Sequence, residues 1–434
     1  MTSRPADPTA PAEPPARAAL VAAGAAFAVY FCAYGLRKPY TAATFQGLTF
    51  LGSSVGLKTA LVIGQVLGYA LAKFVGIKFV SELDRRRLLP TLIIAALVAE
   101  AALVGFAVTP GAGKVAWMFL NGMPLGLVWG LIVRRLEGRT TSDLLMAVLC
   151  CSFVLAGGVV RDAGAWWMSR GVSEFWMPAV TGACFLLPLI AAAVTLDRVP
   201  PPNAQDVAER TLRRAMNGAE RRRFLRVYAV GLVPLLAFYA VLTAMRDYRD
   251  YYSAEILQKL GYGETPGIFT WVEGPTAITV TLVVGGLIVL HNHQRGLLAI
   301  FLCMSAGMVV IGAATLLHAA GAVSGLAWMI ATGVGGYLAY VPYNAVLFER
   351  IVAATRSPGT AVFAIYVADS LGYACSIALQ LHKDFAAGEA DRVTYFAEFA
   401  LVTAVVGLAC LAISGWYFLI RLPRTETVQQ GTAA

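Results

Sequence analysis

Eight basic residues lie inside, or at the edges of, long apolar stretches of this 434-residue chain: Arg37, Lys38, Lys73, Lys78, Arg134, Arg161, Arg246 and Arg249. Charge in a bilayer is costly, so such residues are functional by default unless a partner or a nearby interface accounts for them. Lys78 and Arg134 sit near the ends of their stretches, where a long side chain reaches water by snorkelling. Arg161 precedes Asp162 and is placed to pair with it. Arg37, Lys38, Lys73 and Arg246 have no such account. Guanidiniums present forked donors that match carboxylate or phosphate oxygens, and lysines add point charge. Two arginines with one or two lysines are over-charged for a monocarboxylate and suit a dianion such as a phosphate group.

Such a cluster repels itself when empty, so an acid should balance it. Glu273 is the best-placed candidate, followed by Asp369 and Glu100, while Asp247 and Asp250 flank Arg246 and Arg249 and are positioned to pair with them. Tyrosines crowd the same level: Tyr30, Tyr34 and Tyr40 around Arg37, and Tyr239, Tyr248, Tyr251 and Tyr252 around Arg246. Their hydroxyls suit phosphate or sugar oxygens, Tyr34 above all. For most of them the expected role is the ordinary interfacial aromatic belt.

The elements that carry these residues follow from composition. The chain is 58% apolar and 14% charged, with a mean hydropathy of +0.69. A soluble domain is nearer half apolar and about a quarter charged. The chain is therefore a multi-pass membrane protein. That excludes a cytosolic enzyme, a secreted disulfide scaffold and a nucleic-acid reader. Apolar runs cover 18–38, 57–79, 88–108, 113–134, 142–168 and 175–196, then 224–256, 267–290, 296–319, 322–349, 358–382 and 394–420. All are too long for barrel strands, so the expected class is an all-α membrane protein of twelve transmembrane helices.

The runs fall into two sets of six, laid out as in a two-bundle transporter. The expected domains are a disordered tail (1–17), an N-terminal bundle (18–197), a basic linker (198–223), a C-terminal bundle (224–421) and a second tail (422–434). The linker opens on Val199-Pro200-Pro201-Pro202 and closes on a run holding Arg210, Arg213, Arg214, Arg221, Arg222 and Arg223. With both termini in the cytoplasm of an inner (plasma) membrane protein, tails and inward loops hold about twenty Lys and Arg, and outward loops about six. The net charge of +9 thus reflects topology. In this orientation Arg37 and Arg246 lie toward the outer ends of spans 1 and 7, matched positions in the two halves and both against the charge rule. They mark a cationic site at the repeat interface, with the helices running on past them. The seven cysteines all fall inside apolar runs and read as small buried hydrophobes. The first tail has no basic stretch leading to a cleavage site and does not read as a signal peptide.

At these residues the chain resembles the organophosphate:phosphate antiporters of the major facilitator superfamily, the glycerol phosphate and hexose phosphate transporter type. Tyr34-Gly35-Leu36-Arg37-Lys38-Pro39-Tyr40 is similar to that family's span 1 signature, with Pro39-Tyr40 standing for the usual Asn-Phe. Gly68-Tyr69 through Lys73-Phe74 is similar to its span 2, and Gly122, Gly126, Trp129 and Arg134 to its span 4. Arg246 and Ser253 fit span 7, Glu273 the span 8 glutamate, and Gly359-Thr360-Ala361 the opening of span 11. Phe153 stands where the family has a histidine, so the chain reads as a divergent branch.

The resemblance implies alternating access by rocking bundles, with Arg37 and Arg246 clamping a phosphorylated metabolite exchanged for phosphate. The substrate-binding set is then Arg37, Lys38, Lys73, Arg246 and Tyr34, with Glu273 and Asp369 balancing charge or coupling. The expected partners are a small anionic solute, inorganic phosphate among them, and the lipid bilayer. Nucleic acid, metal and cofactor are not expected, nor is enzymatic activity, and the protein is expected to be a monomer. A proton-coupled carboxylate or drug carrier, with Glu100, Asp162, Glu273 or Asp369 carrying the proton, is an alternative within transport. A non-transporting sensor docking through the basic linker is an alternative outside it.

Overall fold

The computed structural model describes residues 15–136, 142–200, 218–288, 290, 292–354, 362–386 and 391–422. Most of both tails, linker residues 201–217 and the Gly359-Thr360-Ala361 stretch lie outside the described residues.

Among the described residues twelve long helices form, one per apolar run. The first half holds α1 (Pro15–Gly35), α2 (Leu57–Glu82), α3 (Arg85–Val108), α4 (Gly113–Leu136), α5 (Ser142–Ser169) and α6 (Met177–Arg198). The second holds α7 (Ala229–Tyr251), α8 (Ile268–Ile288), α9 (His293–Ala319), α10 (Gly325–Pro342), α11 (Val362–Phe385) and α12 (Arg392–Trp416). Ten helical segments among the described residues are long and apolar enough to cross a membrane. The remaining two, Ala19–Gly35 and α10, are shorter or diluted by glycine and tyrosine. Helices suit the bilayer because they satisfy every backbone polar group internally. Large apolar side chains point outward, including Leu187, Leu282 and Val405, each at least 69% exposed, as a lipid-facing surface requires.

Helix ends follow local chemistry. Asn292, Ser324 and Asp391 cap α9, α10 and α12 by accepting from backbone N–H groups of the first turn. The Thr394 and Val393 amides hold the Asp391 carboxyl below its ordinary value. Pro342 closes α10, and the chain passes through one wide turn (Tyr343–Leu347) into a short helix, Phe348–Ala354. Two boundaries differ from the sequence reading. Helix α1 stops at Gly35 instead of running past Arg37 and Lys38, because Pro39 restricts the residue before it and starts a separate 3-10 turn, Pro39–Ala42. A helix, Gly218–Val227, spans the linker boundary at 223/224, and its Phe224 packs into the core of the second half.

In the first half α2 packs on α4, α4 on α3, and α1 on α5 and α6; in the second α11 and α12 pack on α7, and α10 on α8 and α9. This is the expected two-bundle, all-α architecture. The halves meet through two helix pairs, α5 with α8 and α2 with α11. These pairs exchange when the halves are interchanged, as a pseudo-two-fold repeat demands.

The end of the molecule opposite the termini is closed between the halves. Lys58 of α2 pairs with Glu255 at 2.7 Å, and Thr59 bonds the Tyr252 hydroxyl at 3.0 Å. Two carboxylates cap helices of the other half. Asp162 of α5 accepts from the Phe269 and Thr270 amides at 3.1 and 2.7 Å, at the start of α8. Asp384 of α11 accepts from the Gly56 amide at 3.1 Å, at the start of α2, whose own N-cap residue is a glycine with no side chain to do so. The two caps occupy matched positions in the repeat.

Candidate functional site

Arg37 and Arg246 face each other's half from the interface. Arg37 sits in the turn after α1, its guanidinium 4.0 Å from the centre of the Tyr69 ring on α2. Arg246 on α7 lies 4.0 Å from the Tyr340 ring on α10. Each half thus offers one arginine laid over one tyrosine face, a cation–π arrangement. Tyr34 lies 5.8 Å from Arg37 and in the electrostatic field of both arginines, as does Tyr251. The Nε atom of each arginine is buried and has no hydrogen-bond partner among the described residues. An unsatisfied guanidinium donor costs free energy until a ligand or water meets it.

Glycines place the Tyr69 platform. A Cβ on Gly68 would come 2.0 Å from the Phe119 carbonyl oxygen, and one on Gly122 would come 2.2 Å from the Gln65 carbonyl oxygen. Helices α2 and α4 therefore run backbone to backbone at this level. Gln65 extends the order by donating to the Arg37 carbonyl at 3.0 Å and to Asn121 at 2.8 Å.

Lys73 lies deeper on α2 and pairs with Asp369 of α11 at 2.5 Å. The other Asp369 oxygen accepts from the Tyr239 hydroxyl at 2.6 Å. The Lys73 side chain keeps 19% exposure and Arg246 keeps 14%, so a cleft reaches both. Arg37 is half-buried.

The remaining charges form a buried chain across the interface. Lys38 pairs with Asp250 and lies 3.7 Å from the Tyr251 ring. Asp250 also holds Arg161 at 3.1 Å, and Arg161 reaches Glu273 at 3.2 Å. Glu273 holds Arg249 at 2.9 Å, and Arg249 donates to the Met329 carbonyl. Glu273 and Lys38 are thus engaged by partners other than Arg37 and Arg246. Two expectations are corrected here. Arg161 does not pair with Asp162, because Asp162 is taken by the amides of α8 and Arg161 turns inward. Tyr239, Tyr248, Tyr251 and Tyr252 form no interfacial belt, for each is at most 1% exposed in the protein core. Of the flanking acids, Asp247 takes Arg246 at 2.8 Å, and Asp250 takes Lys38 and Arg161 instead of Arg249.

In all, six basic groups (Arg37, Lys38, Lys73, Arg161, Arg246, Arg249) face four carboxylates (Asp247, Asp250, Glu273, Asp369). Within this ion-paired set the basic groups outnumber the carboxylates by two, and Arg37 has no carboxylate partner among the described residues. Sequence reasoning missed the ring of arenes around these groups, formed by Trp129, Phe153, Tyr337, Tyr340 and Tyr373. It missed the two inter-half caps as well. Two of the arenes carried a signal: Phe153 stands where the antiporters have histidine, and Trp129 lies in the stretch similar to their span 4.

Residues 39–421 match the family of unknown function DUF5690. The chain belongs to that family. No curated protein matches it. Among solved structures, this DUF5690 member is similar to a D-xylose–proton symporter at a TM-score of 0.63 and 14% identity, covering 93% of this chain and 98% of that one. It is similar to the inward-open xylose transporter XylE from E. coli at 0.58 and 15%, covering 92% and 95%. A peptide transporter, POT, solved in complex with sulfate gives 0.60 and 15%, covering 93% and 95%. These likenesses extend over nearly the whole chain and establish the fold as that of the major facilitator superfamily.

Proposed function

We propose that this DUF5690 protein is a secondary transporter that exchanges a phosphorylated organic anion for phosphate by alternating access. The observation that carries the reading is the pair of arginines, one from each half, each over a tyrosine and each with an orphaned Nε, in a cluster whose basic groups outnumber the carboxylates they pair with. A dianion supplies the missing charge and the missing acceptors together. Arg37 and Arg246 clamp it from opposite bundles, Tyr34 bonds a peripheral oxygen, and Lys73 supplies the third cationic corner. Binding draws the halves together around the ligand, which lowers the cost of the empty cluster's self-repulsion as the bundles rock. The resemblance of the span 1 and span 7 segments to the organophosphate:phosphate antiporters supports the same substrate class. The inward bias of Lys and Arg supports cytoplasmic termini, so that the closed end faces outward.

The test is exchange in proteoliposomes. Vesicles loaded with phosphate should take up labelled phosphate, and external phosphate esters should compete; absence of exchange refutes the proposal. A proton-coupled carrier is the second reading. It is favoured by Asp369, a cleft carboxylate bridging Lys73 and Tyr239. Uptake driven by a pH gradient into vesicles without internal phosphate would select it.

A further inference from the structure

Rings lie over or beside both arginines, Tyr34 and Tyr69 at Arg37 and Tyr337 and Tyr340 at Arg246, and further rings pack onto these. Tyr34, Trp129 and Phe153 come from the first half, and Tyr337, Tyr340 and Tyr373 from the second. Phe153 is the hub. Its ring centre lies 6.4 Å from that of Tyr34 with the planes 21° apart, and 6.0 Å from that of Tyr337 in the opposite half. It also meets Tyr30, Trp129 and Tyr340 edge-on. Tyr34, Trp129, Tyr340 and Tyr373 are half-buried, so part of each ring borders the cleft and is not wholly packed away.

Most groups that read hydroxyls are already spent, although Glu273 Oε2 is buried with no hydrogen-bond partner among the described residues. A polyol or sugar is held by carboxylates and side-chain amides that accept and donate in pairs. The four carboxylates of the cluster are in ion pairs. Gln65 is bonded to Tyr40, the Arg37 carbonyl and Asn121, and Asn121 donates to the Leu36 and Ala99 carbonyls. Asn344 donates to the Tyr340 carbonyl and accepts from Tyr239. Among the described residues the cleft therefore offers guanidinium forks, one lysine, phenol hydroxyls and ring faces. A cationic ligand is disfavoured, because Arg37 and Arg246 already cover the Tyr69 and Tyr340 faces.

We infer that the organic part of the transported anion is a flat aromatic ring, stacked between the halves on the half-buried Tyr34, Trp129 and Tyr340 rings that the buried Phe153 holds in place, while its anionic group meets Arg37 and Arg246. The inference rests on the anion-site reading above and narrows its substrate to aryl anions as against glycerol- or sugar-type phosphates. Offset or edge-on contact with several rings favours an arene over a flexible polyol of similar size, and the bound ring bridges the bundles just as the arginines do.

Isothermal titration of the purified full-length protein with phenyl phosphate, glycerol phosphate, inorganic phosphate and benzoate tests this. Phenyl phosphate should bind about tenfold or more tighter than glycerol phosphate. Phe153→Leu, which keeps an apolar side chain and so preserves folding, should shrink the ratio of phenyl phosphate to inorganic phosphate affinity several-fold. Phe153→Trp should restore most of it. Phenyl and glycerol phosphates binding within about twofold of each other overturns the aromatic inference and leaves the phosphate site standing. Binding of benzoate with silence from every phosphate compound keeps the ring and overturns the phosphate reading. Silence from all four overturns both.

Discussion

Asp162 and Asp384 each cap a helix that belongs to the other half, so their bonds exist only while the end opposite the termini is closed. Replacing an N-cap carboxylate by alanine costs about 0.5–2 kcal/mol. For a cap within one bundle that loss falls on folding. Here the cap's share falls on the closed conformation, because in the open one the carboxylates and the amides both return to water; the 3.7 Å pair of Asp384 with Arg392 lies within its own half and persists in both. At about 1 kcal/mol per cap, Asp384→Ala lowers the closed-to-open ratio roughly fivefold, and the double variant with Asp162→Ala roughly thirtyfold. The two effects add in free energy because both caps act on one global equilibrium. The assay is electron–electron distance measurement between spin labels at Ser53 and Glu264, both exposed near the closed end and one in each half. Wild type should give one short distance, Asp384→Ala a minor longer component, and the double variant a dominant one. Asp391→Ala is the control. Its carboxylate caps only its own helix, through Val393 and Thr394, and should leave the distances unchanged. An unaltered distribution in the double variant would refute the view that these caps latch the closed end.

Arg37→Lys and Arg246→Lys should each lower anion affinity about ten- to a hundredfold, since an ammonium loses one of two charged bonds worth roughly 1.5–3 kcal/mol each. Uptake measurements should also show the double variant little worse than either single one, and near-normal uptake in a single variant removes the clamp. Glu273→Gln should depress the melting temperature strongly, because Arg161 and Arg249, buried at 1% and 2% side-chain exposure, lose their shared counter-charge, and breaking such a buried pair costs about 3–5 kcal/mol. A thermal-unfolding curve unchanged from wild type would return Glu273 to a role in the transport cycle alone. Gly122→Ala should destabilise the protein and weaken anion binding together, because its Cβ would meet the Gln65 carbonyl at 2.2 Å and push α2, with Tyr69 and Lys73, away from α4; a stable variant with wild-type affinity contradicts the seam.

What the sequence determined by itself was whatever depends on one helix at a time. A bilayer admits only long apolar helices, so run length alone placed twelve elements, and charge bias alone proposed an orientation. The cost of intramembrane charge singled out Arg37 and Arg246 without any knowledge of their neighbours. Pairing was decided by the tertiary structure, because an ion pair in a low-dielectric interior goes to whichever carboxylate the packing brings within reach. Asp162 is adjacent to Arg161 in sequence, yet the start of α8 offers it two amide donors, and Arg161 turns to Asp250 and Glu273 from the other half. Lys73 meets Asp369 across 296 residues of sequence. The short reach of α1 came from Pro39, a local signal outweighed in the sequence reading by the apolar run around it. The arenes at the Phe153 hub come from four helices, α1, α4, α5 and α10, so only the packing of the two bundles could assemble them into one wall.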